Sequence, residues 1–434
     1  MAASILENGI PNILPVNGHD RFNYSLTHFS SNIQIQAVVA FDQCLDADIL
    51  KRAVRLSLDA EPVLGCRFIE DEKQPYWQRF EQPGEMQWFE FVIKDNKQEA
   101  VEQFLTGPFI GKGQQINVRL IRTPAGDNLC VKICHACSDA GGLKEYLQLL
   151  AEIYSRLQKN PDYKPEPNIQ GRRDQKHYFE ALGIEEPIKL FDPQNQPPPP
   201  TWAFPYHDLE YKEMRISIRH IRDEAFERII TFGKTHEVTI NTIILTALYR
   251  SLFEFIKPPV GEEMGIGVTV DLRKAFKGSP EQAIGNLSVS MYPRICSLEE
   301  EPFLETLKRV SASVAVVKNA RADLRAAVAM EVFGAMEYSQ YKGIIQAVWQ
   351  QMIATGKSDP ALSNMGIISP LQFGQFAADD AYIVTPRICA PGFLMAASTY
   401  NRNLTLEVSY CEPAHRREEV EAFMDLMEKE LRSL

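Results

Sequence analysis

The chain has 434 residues, 45% of them hydrophobic and 24% charged, with a formal net charge of -11 at pH 7. This is the composition of an ordinary folded globular protein with room for about two domains. The acidic balance counts against non-specific nucleic-acid binding, which needs clustered Lys and Arg, and no apolar run reaches the roughly 18–20 residues of a membrane-spanning helix.

In chain order, Met1–Asn8 lacks the basic start and apolar core of a secretion signal. Ile33–Phe41 begins as period-2 alternation and reads as a strand. Leu45–Asp48 opens a helix capped by Asp46 or Asp48, with Ile49, Ala53, Val54, Leu56 and Leu58 on its apolar side, and Pro62 stops it. Val63–Phe68 and Trp77–Phe80 read as a hairpin around Glu70–Lys73, Gln87–Phe91 as a strand and Lys97–Phe104 as a short helix. Ile116–Arg122 alternates cleanly and leads through Pro124–Asn128 into a second apolar strand at Leu129–Cys134.

Residues 159–205 change character, with extended proline-containing pieces at Asn160–Pro167 and Gln194–Pro200 that have little core-forming power. They read as a connection between an N-terminal lobe, 1–158, and a C-terminal lobe, 206–434. The second half restarts with a strand at Met214–Arg219 and helices over Asp223–Thr235 and Thr239–Phe255. Strands follow at Met264–Val270 and Asn286–Tyr292, then helical periods over about 300–319 and 322–354. Late strands are expected at Met365–Ile368, Ala381–Thr385, Phe393–Ser398 and Leu404–Tyr410, and a closing helix at Glu412–Leu431. Both halves mix strands and helices without strict βαβ repetition, which favours an α+β class.

The stretch with chemical content is Leu129–Gly142, where an apolar strand runs into His135, then Asp139, then Gly141–Gly142 and an amphipathic helix. A strand end is a rigid place from which to aim one imidazole, and two glycines let the backbone turn sharply beside it. Cys130, Cys134, His135 and Cys137 raise metal or redox chemistry as a rival, but no second Cys/His pair lies nearby to complete four ligands. Eight cysteines dispersed over the chain read instead as reduced, mostly buried thiols of a cytoplasmic protein. The remaining histidines, His19, His28, His177, His207, His220, His236 and His415, read as surface or capping residues.

The element Cys134–His135–Ala136–Cys137–Ser138–Asp139–Ala140–Gly141 resembles the HxxxD active-site motif of the chloramphenicol-acetyltransferase-like superfamily, which includes condensation domains and alcohol acyltransferases. Leu45–Ala53 with Glu61–Phe68, Val268–Arg273 with Gly285–Ser288, and Leu362–Gly366 are similar to further family segments and occur in family order. Cys134 stands where condensation domains usually carry a first histidine, and Ala140 where a glycine is usual. An Asp-Phe-Gly-Trp-Gly element of the plant branch is at best echoed by Gln372–Phe376, and the stand-alone condensation-like branch fits better.

The resemblance implies two similar mixed α/β lobes with an active-site tunnel between them, and a crossover segment near 362–400. It implies His135 as general base, with Asp139 paired to a second-lobe arginine, best matched by Arg273; the competing reading of Asp271–Leu272–Arg273 is a local strand-end ion pair. The implied reaction moves an acyl group from coenzyme A to an alcohol or amine. A condensation-type enzyme using a carrier-protein phosphopantetheine thioester is the alternative, and a catalytically degenerate binding module of the same fold is the rival from another class. No permanently bound cofactor is expected; acyl-coenzyme A or a phosphopantetheine thioester serves as co-substrate. The partners expected are a small-molecule donor and acceptor, with an acyl carrier protein as the alternative, and the chain is read as a monomer. Asn286, Ser288 and Asn364 are candidate oxyanion donors, against a reading as backbone hydrogen-bonding residues. Arg172, Arg173 and Lys176 are candidates for attracting the donor's phosphates, against a reading as solvated linker charges.

Overall fold

The computed structural model describes residues 9–276 and 282–434, so Met1–Asn8 lies outside the described residues. Two mixed α/β lobes are each built on one main sheet. The first sheet has five strands in the order Asp380–Val384, Gln34–Phe41, Gly126–Cys134, Ile116–Thr123 and Phe89–Ile93. The second has six, in the order Ser288–Met291, Gly267–Asp271, Ala361–Ile367, Leu394–Tyr400, Asn403–Pro413 and Tyr211–Ile221. The edge strand Asp380–Val384 thus comes from the second half of the chain. It pairs antiparallel with Gln34–Phe41, Tyr382 facing Val38.

The alternation in the first lobe has a clear physical outcome. Ile35, Ala37, Val39 and Phe41 face one core with Leu129, Val131 and Ile133, packed beneath the helices Ala47–Ala60 and Ala140–Lys159. Val38 and Cys130 face the opposite side, against Ala100, Val101, Phe104 and Leu105 of the helix Lys97–Thr106. Asp46 caps the helix Ala47–Ala60 by accepting from the backbone N–H of Asp48 at 2.9 Å and of Ile49 at 3.0 Å.

Several expectations change in ways that bear on the site. Val63–Gly65 is part of a 3-10 turn, Pro62–Gly65, started by the proline, and the strand begins only at Cys66. The apolar run Met264–Val270 changes partners at Ile266: Glu263–Gly265 pairs with Arg294–Cys296, while Gly267–Asp271 joins the main sheet. The helical stretch 322–354 is broken into Ala322–Ala335 and Tyr338–Thr355. The break frees the N–H groups of Tyr338 and Ser339 to donate to the carbonyls of Lys73 at 3.2 Å and Glu72 at 2.9 Å, tying a second-lobe helix to the first lobe. The connection 159–205 is also not merely extended, since it carries the helix Lys176–Ala181 with Tyr178 and Phe179 buried.

The crossover is locked by a buried carboxylate. Glu407 accepts from the backbone N–H of Thr385 at 2.9 Å and its hydroxyl at 2.8 Å, and from the hydroxyl of Ser409. Burial pushes the Glu407 carboxyl up to about 7, with the Ser409 and Thr385 donors opposing. A carboxyl raised in the folded state favours folding fully below its unfolded value, and that contribution fades as pH rises to the folded value. Chemical denaturation of wild type and Glu407→Gln at pH 5 and pH 7.5 checks this: the variant should gain stability relative to wild type at the higher pH, and an unchanged difference would contradict it.

Candidate functional site

The strand Gly126–Cys134 is buried along its whole length and delivers His135 at its end, where the ring is half-buried between two buried neighbours, Cys134 and Ala136. The backbone N–H of His135 donates to the Ile33 carbonyl at 2.6 Å, which fixes the strand end to the neighbouring strand's entry. Asp139 then caps the helix Ala140–Lys159 by accepting from the Gly142 N–H at 2.9 Å. The four-residue spacing therefore places the imidazole before the turn and the carboxylate at the helix start.

Asp139 is buried and its other oxygen accepts three donors from the second lobe: Arg273 Nη1 at 3.0 Å, the Leu287 N–H at 2.7 Å and the Ser288 hydroxyl at 3.0 Å. Burial opposes the charge on Asp139, but the Arg273 guanidinium and the backbone donors outweigh it and hold the carboxyl below the ordinary carboxylate range. Burial likewise opposes the charge on Arg273, and the Asp139 and Glu145 anions outweigh it to push the guanidinium pKa up. Arg273 also meets Asp271 at 3.2 Å, so the local strand-end pair and the inter-lobe pair coexist on one guanidinium. Its Nη2 donates to the Gly285 carbonyl at 3.0 Å, the same carbonyl that receives the Asp139 N–H at 3.2 Å.

The paired glycines serve contact rather than a sharp turn. Both lie within the helix, and neither has a left-handed backbone. A Cβ on Gly141 would lie 2.6 Å from Arg273 Nη1, and one on Gly142 would lie 2.5 Å from the Ser138 hydroxyl and 3.2 Å from the Gly285 carbonyl. At Gly141 the second lobe's Arg273 occupies the space of a side chain, and at Gly142 the motif's own Ser138 does, with the Gly285 carbonyl tight beside it.

The polar candidates are placed as follows. Asn286 Oδ1 lies 3.2 Å from His135 Nδ1, and its Nδ2 donates to the Ala136 carbonyl at 2.9 Å. Ser288 is engaged with Asp139, and Asn364 accepts from the Gly366 N–H at 3.0 Å. Asn286 and Ser288 thus hold structure around the motif, while Asn364 makes a local turn in its own strand. Arg173 is not a solvated linker charge: it makes a two-pronged pair with Asp20 at 2.8 and 3.0 Å and donates to the carbonyls of Ile284 at 3.0 Å and Cys137 at 3.1 Å. Arg172 pairs with Glu180 at 2.8 Å, and Lys176 lies 3.7 Å from Asp174. Among the histidines expected at the surface, His19 and His415 are buried, bonded to Gln175 and the Pro205 carbonyl respectively. Nothing in the local sequence marks the Arg173–Asp20 pair, whose partners are separated by most of the first lobe.

Cys130, Cys134 and Cys137 are buried thiols, and burial pushes the first two up to about 12. Among the described residues no group of three His, Cys, Asp or Glu is arranged to hold a metal ion. An inter-lobe cleft of about 970 Å³ lies between the helix Lys97–Thr106 and the strand Tyr211–Ile221, above Val38 and Tyr382. A second, of about 1180 Å³, lies on the first lobe around Arg52, Arg55, Trp88 and Tyr163. His135 lines neither.

Compared with known families, the chain matches the model of the condensation domain over residues 21–326, more than half its length. The chain belongs to the condensation-domain family. Proteins of this fold are acyl and peptidyl transferases. Similar solved structures include the first condensation domain of the calcium-dependent antibiotic synthetase in complex with a substrate analogue, at 13% identity and a TM-score of 0.70 over 97% of this chain and 95% of that one. The trichothecene 15-O-acetyltransferase of Fusarium sporotrichioides is 10% identical with a TM-score of 0.69, over 97% of this chain and 95% of that one. A mutant starter condensation domain of rhizomide synthetase in complex with C8-CoA is 11% identical with a TM-score of 0.65, over 98% of this chain and 95% of that one. A search of curated proteins found no match. No helix among the described residues is long and apolar enough to cross a membrane.

The ion pair at the heart of the motif has a measurable weight. Removing one member of a buried pair leaves the other charge uncompensated, at a cost of about 3–5 kcal/mol. Arg273→Ala should lower the unfolding free energy by about that amount, read by chemical denaturation, and Arg273→Lys should recover only part of it, because an ammonium cannot serve Asp139, Asp271 and the Gly285 carbonyl with a planar fork. An unperturbed Arg273→Ala would show that the pair contributes nothing.

Proposed function

We propose that this protein is an acyltransferase that moves an acyl group from a coenzyme A thioester to an alcohol or amine, with His135 as general base. The observation that carries the reading is a partly buried imidazole at a rigid strand end, with its strand and helix clamped to the other lobe through Asp139 and Arg273, in a chain of the condensation family. An unassisted hydroxyl or amine is a poor nucleophile, and an imidazole within hydrogen-bond reach removes its proton as attack on the thioester carbonyl begins. The tetrahedral intermediate collapses, the carbon–sulfur bond breaks, and the imidazolium returns the proton to the departing thiolate. Donor and acceptor held together make an acyl-enzyme unnecessary. Asp139 and Arg273 act as positioning residues, since they fix the strand–helix junction that aims the ring.

The similarity to a starter domain crystallised with C8-CoA and to an O-acetyltransferase supports the coenzyme A donor. The family model and the synthetase neighbour support a second reading, in which the thioester is carried on the phosphopantetheine of a carrier protein. We infer a monomer, because two lobes of one chain build the motif environment, and a cytoplasmic protein, because its eight dispersed cysteines are free thiols suited to a reducing compartment.

Incubating wild type and His135→Ala with a panel of acyl-coenzyme A donors and simple alcohols and amines, and measuring free thiol, tests the proposal. Wild type should release thiol at least about a hundredfold faster than the variant, the range that a positioned base contributes. Equal release would remove His135 as the base, and release confined to carrier-bound donors would select the second reading.

The pH dependence follows from burial. Desolvation lowers His135 below the ordinary imidazole value of 6.5, against the opposing effects of its own carbonyl, the Asp139 charge and Asn286. The neutral ring therefore persists to lower pH than in a free imidazole, and the acid limb of kcat/KM should have its midpoint below 6.5. An acid-limb midpoint above 6.5 in the pH–rate profile would contradict this.

A further inference from the structure

Arg387 is a half-buried cation that no anion meets. Among the described residues its side chain touches no oxygen: Nη1 lies 3.4 Å from Cys411 Sγ, the guanidinium lies 5.5 Å from the centre of the Tyr211 ring, and Nε is buried without a partner. A thiol and a ring face are weak partners for a planar fork of N–H donors. Arg119 and Arg250, likewise half-buried, each meet a carboxylate, Glu90 at 2.6 Å and Glu430 at 2.7 Å. A sheltered guanidinium left in this state is set for an anion that the chain itself does not supply.

Its place relative to the motif follows from the backbone. The Arg387 carbonyl accepts from the Asn32 N–H at 3.3 Å, and the Arg387 N–H donates to Asn32 Oδ1 at 3.0 Å. The next residue, Ile33, takes the His135 N–H on its carbonyl at 2.6 Å. Arg387 and His135 therefore flank one short segment on opposite sides, two interstrand spacings or about 10 Å apart across the backbone. Both side chains turn to the second lobe, His135 to Asn286 and Arg387 to Cys411 and Tyr211. Between them Ile33 is held at a φ of 44°, a left-handed conformation that a β-branched residue keeps only under constraint from its surroundings.

We propose that Arg387 binds a carboxylate on the acyl acceptor, so that the site selects hydroxy acids or amino acids over uncharged alcohols and amines. The inference deepens the acyl-transfer reading and rests on it for the place of the nucleophile. The anion belongs to the acceptor rather than to coenzyme A, whose phosphates lie a whole pantetheine arm from the thioester, whereas Arg387 lies within the span of one small molecule from His135. An acceptor held by its carboxylate at one end and by the imidazole at its nucleophile is oriented for attack before the donor carbonyl is reached. The carboxylate takes part in no bond-making step. The chain as a whole is acidic, with a net charge of -11, so a lone cation at the lobe junction is what draws an anionic acceptor to this place.

The test uses acetyl-coenzyme A with ω-hydroxyalkanoates of increasing chain length, their methyl esters and the matching diols, and reads thiol release. In wild type the best-fitting acid should exceed its own methyl ester in kcat/KM by about tenfold or more, the weight of a hydrogen bond to a charged group. Arg387→Gln should bring that ratio close to one through the KM of the acid, and Arg387→Lys should keep part of it. Equal use of acid and ester by wild type, or a ratio that survives Arg387→Gln, would overturn the proposal, as would a rise confined to the KM of acetyl-coenzyme A. The wild-type comparison decides the matter even if the glutamine variant does not fold. Thermal denaturation gives a readout without turnover: the acids should raise the Tm of wild type more than the diols do. Acids that stabilise the protein without any thiol release would sustain the carboxylate site and count against acyl transfer. Thiol release that ignores the carboxylate would do the reverse.

Discussion

A carboxylate removed from water must be met by donors or it will not stay ionised. Asp139 is met by four: a helix N–H from its own lobe, and a guanidinium, a backbone N–H and a hydroxyl from the other. None of the second-lobe donors reaches it unless the lobes are docked in register. The close approach that permits this is written into Gly141, where a side chain would strike Arg273. Lobe docking, the helix start and the direction of the His135 ring are consequences of one charge-satisfying arrangement.

Much of this was legible in the sequence because it is local or strongly periodic. The strand entering His135, the Asp46 cap and the amphipathic helix after the glycines each follow from spacing within a dozen residues. The two-lobed α+β class and the superfamily were legible from a motif and three flanking segments in order, and the family match over residues 21–326 agrees. What escaped was long-range. Arg173 looked like a solvated charge because its partner Asp20 lies more than 150 residues away, and the distance hides a two-pronged buried pair. Asn286 could be read either as an oxyanion donor or as a backbone hydrogen-bonding residue, because no local pattern shows that its amide reaches the Ala136 carbonyl and the His135 ring. The helical run 322–354 carries no proline to announce its break, which is set instead by contacts with Lys73 and Glu72 in the other lobe.

The connection between the lobes contributes more than length. Arg173 reaches Asp20, the Cys137 carbonyl inside the motif turn and the Ile284 carbonyl just before Asn286, so one guanidinium braces both halves of the site from behind. Glu61 makes a comparable tie, accepting from the Asn168 amide at 2.8 Å and the Ile284 N–H at 3.2 Å. A fold shared by enzymes with different donors and acceptors needs this kind of bracing, because the framework must hold one imidazole while the surfaces around it vary.

The strand Asp380–Val384 has a consequence for how the chain comes into being. A ribosome that has finished every segment between Gln34 and Lys159 has not finished the sheet those segments build, because its outer strand is encoded only at Asp380–Val384, beyond the whole connection and most of the second lobe. Until then the outward edge of Gln34–Phe41 is an unpaired template for intermolecular pairing. The nascent first half therefore waits, open-edged, until Asp380–Val384 has been made. A chain ending anywhere before Asp380 leaves that early half permanently incomplete.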